Sequence, residues 1–85
     1  MRRPPEFFDD RDITLVHVAS TLRGALRLER LLTDNGIDYA VETDRYRSGF
    51  LFMTEKTGAF FYVLATDSGR ARELLREKRF KVHVD

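Results

Sequence analysis

Ile13-Thr14-Leu15-Val16-His17-Val18-Ala19-Ser20-Thr21-Leu22, running on to Leu32-Thr33-Asp34-Asn35-Gly36-Ile37, decides the fold class. Residues Ile13 to Val18 are β-branched or apolar at both parities, which fits a strand with two buried faces. Ser20 or Thr21 can then cap a helix by accepting a bond from an orphan backbone N–H. Leu22, Ala25, Leu28 and Leu32 follow at helical spacing, with Arg23, Arg27 and Arg30 directed more toward water. Asn35-Gly36-Ile37 ends the helix. Gly36 takes the left-handed position after the cap, and Ile37 packs back on Leu32.

The same order recurs downstream. At an offset of 46, Ala19, Ser20, Ala25 and Leu28 meet Ala65, Thr66, Ala71 and Leu74, so strand, cap and helix occur twice. Between the two units, Ile37 to Glu42 alternates with period two and reads as a second strand with one wetter face. Thr43 to Gly49 reads as a polar loop. Phe50-Leu51-Phe52-Met53-Thr54 and Ala59-Phe60-Phe61-Tyr62-Val63-Leu64 are apolar runs on either side of Glu55-Lys56-Thr57-Gly58. With Gly58 easing the turn, these are expected to be antiparallel neighbours. Thr66 or Asp67 caps a second helix with Ala71, Leu74 and Leu75 inward, and Phe80 to Val84 closes the chain as a last strand. The expected fold is α+β. In detail it is a ferredoxin-like sandwich, β-α-β-β-α-β with an additional strand in the central connection and two helices on one face of an antiparallel sheet. Residues 1–12, with Pro4 and Pro5, read as a flexible N-terminal tail preceding a single domain over 13–85. Phe7 and Phe8 in that tail fold back on the domain or dock on a partner.

Composition narrows the function classes. Eighty-five residues suit one small domain, and 42% hydrophobic with 34% charged residues is ordinary for a folded chain. Without cysteine there are no disulfides, thiolate metal sites or cysteine nucleophiles. No apolar run reaches the ~20 residues a membrane span needs. Met1-Arg2-Arg3-Pro4-Pro5 is not followed by a signal-peptide segment, and the expected location is cytoplasmic. The net charge of +1 conceals an asymmetry: residues 1–67 carry net −2 and residues 68–85 net +3.

Reactive constellations are sparse. His17 and His83 each sit between valines, and first and last strands of this fold are usual neighbours, so their imidazoles can approach one another. Two imidazoles alone do not complete a metal site, and no metal or cofactor is expected. Ser20 and Ser68 stand where caps belong, and Ser48 lies in the polar loop. None has an adjacent histidine or a nucleophile-elbow pattern. Asp9-Asp10, Asp12, Glu42 and Asp44 are explained by solubility, and neither a Walker loop nor a dinucleotide fingerprint occurs. No catalytic residue is assigned. Lys56 to Val63 superficially looks like the aromatic strand of an RNA-recognition motif, but Ala59 stands where an aromatic should follow Gly58. The bases Arg70, Arg72, Arg76, Lys78, Arg79 and Lys81 could contact phosphate, although a solvated helix face explains them more simply.

The apolar strands say more. Two helices cover only one face of a small sheet, so Phe50, Phe52, Phe60 and Tyr62, or their opposite-parity neighbours, need another cover. Sheet-to-sheet homo-oligomerisation would supply it, as would a ligand or the Phe7-Phe8 tail, and for the whole set association is the expectation.

Leu15-Val16-His17-Val18-Ala19, Leu31-Leu32-Thr33-Asp34-Asn35-Gly36-Ile37-Asp38, Thr43-Asp44-Arg45-Tyr46-Arg47-Ser48-Gly49 and Val63 to Leu75 together give a family resemblance. The chain resembles the prokaryotic signal-transducing proteins related in fold to the nitrogen-regulatory P-II superfamily, over roughly residues 13 to 76. The resemblance implies a ferredoxin-like sandwich, a regulatory role, and partner contact through Thr43 to Gly49. Arg45, Tyr46 and Arg47 would there meet a protein partner or a small anionic ligand. The nucleotide-binding glycine and lysine pattern is missing, so nucleotide binding is not carried over. The expected function is a non-enzymatic binding or regulatory domain associating through its sheet. The alternatives are a small enzyme with an intersubunit cavity using His17 or His83, and nucleic-acid binding through 70–81.

Overall fold

The second strand, Tyr39–Ser48, and the third, Thr54–Leu64, form one long antiparallel hairpin, paired from Tyr39 with Val63 to Ser48 with Thr54. The computed structural model describes residues 1–48 and 54–83. In chain order the elements are β1 (Ile13–Ala19), α1 (Leu22–Asp34), β2 (Tyr39–Ser48), β3 (Thr54–Leu64) and α2 (Ser68–Glu77), with single 3-10 turns at Pro5–Phe8 and Ala65–Asp67. The sheet order is β1-β3-β2, with β3 antiparallel to both neighbours. The chain is therefore a small α+β domain, a three-stranded antiparallel sheet with two helices. No helix among the described residues is long and apolar enough to cross a membrane.

Three expected features are corrected here. Residues Thr43 to Ser48 are not a loop but the second half of β2, and Glu55 to Gly58 are not a turn but part of β3. Pairing with β1 ends at Ala19 and Ala59, so beyond this rung the hairpin projects as a two-stranded ribbon. With less sheet to cover it, the ribbon is polar, and polar residues hid its period from the sequence. The closing strand over 80–84 is likewise not formed among the described residues. Residues 80–83 lie irregularly beside β1, joined by a hydrogen bond from the His83 amide to the Val16 carbonyl at 2.9 Å.

α1 is set by its own ends. The Thr21 hydroxyl accepts the Gly24 amide at 3.0 Å, satisfying one orphan donor. At the other end Gly36 has φ 69°, the Ile37 amide reaches Leu32 O at 2.9 Å and the Gly36 amide reaches Thr33 O at 3.1 Å. Those two bonds are a Schellman motif, and Ile37 and Leu32 are both buried in the core. The Arg70 guanidinium also donates to Asn35 O, placing a cation at the negative end of the α1 dipole. α2 ends in the same way. The Phe80 amide bonds Leu75 O at 2.8 Å, the Arg79 amide bonds Arg76 O at 3.1 Å, and Arg79 takes φ 61°. Its start differs from expectation: neither Thr66 nor Asp67 caps with its side chain, and a 3-10 turn leads into it instead.

The core follows from strand parity. Val16 and Ala19 on β1, Tyr39 on β2, and Phe61 and Val63 on β3 meet Ala25, Leu28 and Leu32 of α1 and Ala71 and Leu75 of α2. Losing one fully buried leucine such as Leu28 from this set costs about 2–5 kcal/mol. Residues 1–12, set apart by sequence as a tail, are placed against the sheet. The Arg3 amide donates to Tyr39 O at 2.8 Å and the Tyr39 amide to Met1 O at 3.1 Å, while Arg3 Nε meets Asp38 at 2.9 Å. The Ala65 amide then bonds Asp12 O at 2.9 Å beside β1, so the segment crosses the end of the sheet from β2 to β1 and buries Phe8 on the way.

The paired helix ends generate a test. Arg79→Gly relieves a left-handed residue that carries a side chain and is expected to stabilise the fold by about 1 kcal/mol. Gly36→Ala imposes the same strain at the other helix end and is expected to cost about as much. Urea unfolding midpoints that fail to move in opposite directions would rule the assignment out.

Candidate functional site

One strand parity faces the helices; the other faces away from them. The away-facing residues are Leu15 and Val18 on β1, Ala40, Glu42, Asp44 and Tyr46 on β2, and Lys56, Gly58, Phe60 and Tyr62 on β3. A bulge at Val16 makes this possible on β1. Leu15 pairs with Tyr62 and His17 with Phe61, so Val16 and His17 both turn toward the core side while Leu15 and Val18 share the outer face. The sequence period alone would have put Leu15 with His17.

Gly58 sits under Tyr46. A Cβ there would lie 2.7 Å from the Tyr46 ring and 2.9 Å from Val18 Cγ1, so the bare backbone lets the ring from β2 lie across β3 toward β1. The glycine serves close packing rather than the expected turn. Tyr46 then meets Phe60 edge to face, with centroids 6.2 Å apart.

These rings wall a groove of about 700 Å³ that also takes in Leu15, Val18, Ser20 and Val82. Its polar wall is basic: Lys56, Lys81, His83 and, from edge strand β1, His17 line it, and among the described residues no carboxylate does. Lys56 and Lys81 have no ion pair among the described residues. His17 Nδ1 donates to Lys81 O at 2.5 Å, because a carbonyl can only accept. In the neutral imidazole this leaves the lone pair on Nε2. The ring stands edge-on to Phe80 at 5.5 Å. The structure thus brings His17 and His83 to one groove. Among the described residues no group of three His, Cys, Asp or Glu side chains could hold a metal ion.

The remaining site candidates separate. Strand alternation puts Tyr46 on the groove face and Arg45 on the other, where Arg45 lies 3.9 Å from Glu55 with both side chains exposed. An exposed pair of that kind contributes little. Phe60 and Tyr62 are on the outer face, both half-buried; Phe50, Phe52 and the side chain of Arg47 lie outside the described residues. Burial raises the Tyr62 phenol above its usual pKa, and the charges of Glu42 and Asp44 add to the rise. The basic segment 70–81 does not form one patch. Arg70 bonds the end of α1, Arg76 faces Glu73 at 3.8 Å, Lys78 lies by Arg27 and Arg30, and Lys81 enters the groove.

Sequence reasoning missed Lys56 and Lys81 as groove residues. The spacing Tyr46–Lys56 and Phe60–Gly58 carries the signal only once the hairpin register is known.

Gly58→Ala is expected to displace Tyr46 and lower stability by about 1–3 kcal/mol. Tyr46→Ala in the same chain should recover part of that loss, since the ring is then absent. A double-mutant cycle by thermal unfolding measures the coupling, and purely additive effects would contradict the packing described. Comparison with known proteins gives no match: no family model, no curated protein and no solved structure matches this chain.

Proposed function

We propose that this chain is a non-enzymatic binding domain of ferredoxin-like build that holds a small organic anion in the groove on its helix-free face. The ferredoxin-like reading is supported by β1 and β2 flanking β3, with α1 linking them as a split β-α-β unit. Residues 80–83 run along the free edge of β1, where that fold has its fourth strand, and the Lys81–His17 and His83–Val16 bonds give them an antiparallel sense. A regulatory role is supported by the resemblance of Leu31 to Asp38 and Val63 to Leu75 to the signal-transducing family.

One observation carries the ligand class: among the described residues, the groove joins an aromatic and aliphatic floor to two lysines that have no ion pair, with no lining carboxylate. A site of this size and lining suits a ligand with a flat apolar body and a carboxylate or phosphate. A bound charge would need a partner of opposite sign, and the charged side chains that line the groove among the described residues are the cations Lys56 and Lys81, with Glu42 and Asp44 on the same face but outside the lining.

Amide chemical shifts recorded with inorganic phosphate, benzoate and phenyl phosphate test this. The aromatic anions are expected to shift signals from Ser20, Tyr46, Lys56 and Phe60, with phosphate alone doing much less. Lys56→Gln or Lys81→Gln should weaken the stronger binder about tenfold, equivalent to about 1.4 kcal/mol. Shifts indifferent to both substitutions would defeat the proposal.

A second reading has its own observation: Leu15, Val18, Phe60 and Tyr62 lie on the face opposite the helices, and Ile13 beside them is 45% exposed. A second copy meeting this face would cover them, consistent with association through the sheet. Sedimentation across a dilution series should show association that Phe60→Ser weakens; a monomer at every concentration would discard it.

A further inference from the structure

We infer that the outer face of α1 is a docking surface for an acidic amphipathic helix of a partner protein. It lies on the helix side of the sheet and does not depend on the groove. Leu22 and Leu26, one turn apart, are 76% and 55% exposed, although leucine normally serves the core face of such a helix. At about 100° per residue, Leu22 and Leu26 make one stripe, and Arg30, Arg23 and Arg27 make a second stripe directly beside it. Arg23, Arg27 and Arg30 have no ion pair among the described residues. The carboxylate of Glu29 is turned elsewhere, accepting the Tyr39 hydroxyl at 3.0 Å, and Asp34, which shares the cleft with Arg27 and Arg30 at the helix end, makes no ion pair with either among the described residues.

The surface is also shaped. Shallow clefts run along Leu22, Leu26 and the arginines, and between α1 and Lys78-Phe80, where the cavity is about 260 Å³. Arg27 is held in place by stacking on Phe80, 4.7 Å from its centroid. An apolar stripe beside a cationic one is matched by a helix with leucines beside carboxylates. The arginines recur about every turn, the interval at which carboxylates recur on one face of a helix. Bidentate Arg–carboxylate pairs then set the register, and Leu22 and Leu26 supply apolar contact.

Other occupants fit only half of the surface. A nucleic acid would use the arginines but leave two leucines against phosphate, and the Phe80 ring in the adjoining cleft is already covered by Arg27. A lipid surface would accept the leucines, but two on a helix whose opposite face forms the core supply little insertable area.

The test uses the full chain and a labelled synthetic helix of about 20 residues, long enough to hold helical structure, with leucines one turn apart and glutamates beside them. Fluorescence anisotropy should show binding that weakens as salt rises. Arg23→Glu with Arg30→Glu, and separately Leu22→Ser with Leu26→Ser, should each weaken it at least about tenfold. These side chains are exposed, so circular dichroism should show the fold retained. Lys81→Gln should leave peptide binding unchanged, which separates this surface from the anion groove. Absence of binding at low salt, indifference to either double substitution, or tighter binding to phosphatidylserine vesicles or single-stranded RNA would each overturn the inference.

Discussion

The central position of β3 governs the structure. It is antiparallel to both neighbours and carries large apolar residues at both parities, with Phe61 and Val63 on one face and Phe60 and Tyr62 on the other. Two helices can cover only one of these faces, and they cover Phe61 and Val63. Every other feature of the outer face answers the resulting imbalance. The Val16 bulge adds Leu15 and Val18 to it, Gly58 lets Tyr46 lie across it, and residues 80–83 wall one side. An apolar floor next to lysines is the consequence, and the proposed anion site rests on that combination.

What was legible in the sequence was local. The cap at Thr21 and the stop at Gly36 and Ile37 depend on residues within one turn of each other, and the structure has both. The second helix stop was illegible because Arg79 occupies the left-handed position that Gly36 holds in the first; geometry was repeated there while residue type was not. Strand ends were illegible for another reason. Past the rung of Ala19 and Ala59 the hairpin has lost its third strand, so its residues lack the one-sided burial that writes period two into a sequence. Glu55-Lys56-Thr57-Gly58 then had turn-like composition without being a turn.

The candidate site was legible in its ingredients and not in its assembly. Residue type alone marks His17, His83, Tyr46, Phe60 and Tyr62, and the apolar excess on the strands calls for a cover. Their grouping required two non-local facts: the register of the hairpin and the bulge that changes parity on β1. Without the first, Tyr46 groups with Arg45 and Arg47 as loop residues; with it, Tyr46 faces Lys56 across the ladder and Arg45 faces the opposite side. Lys81 needed the path of 80–83, which is fixed by two hydrogen bonds to β1 and not by any strand pattern.

Phe80 joins the two surfaces physically. Arg27 of α1 rests on its ring at 4.7 Å, and His17 from the groove meets the same ring edge-on at 5.5 Å. The ring is also placed by the Schellman bond from its amide to Leu75, which couples its position to the end of α2. The next residue, Lys81, gives its carbonyl to His17 and its side chain to the groove. An occupant that drew Lys81 inward would therefore act on the residue adjoining the ring that holds Arg27. That is a contact path of three side chains, running from the buried His17 through the half-buried Phe80 to the exposed Arg27. It becomes allostery only if each occupant favours a different arrangement of residues 80–83, since coupling requires differential affinity for two states and not proximity alone.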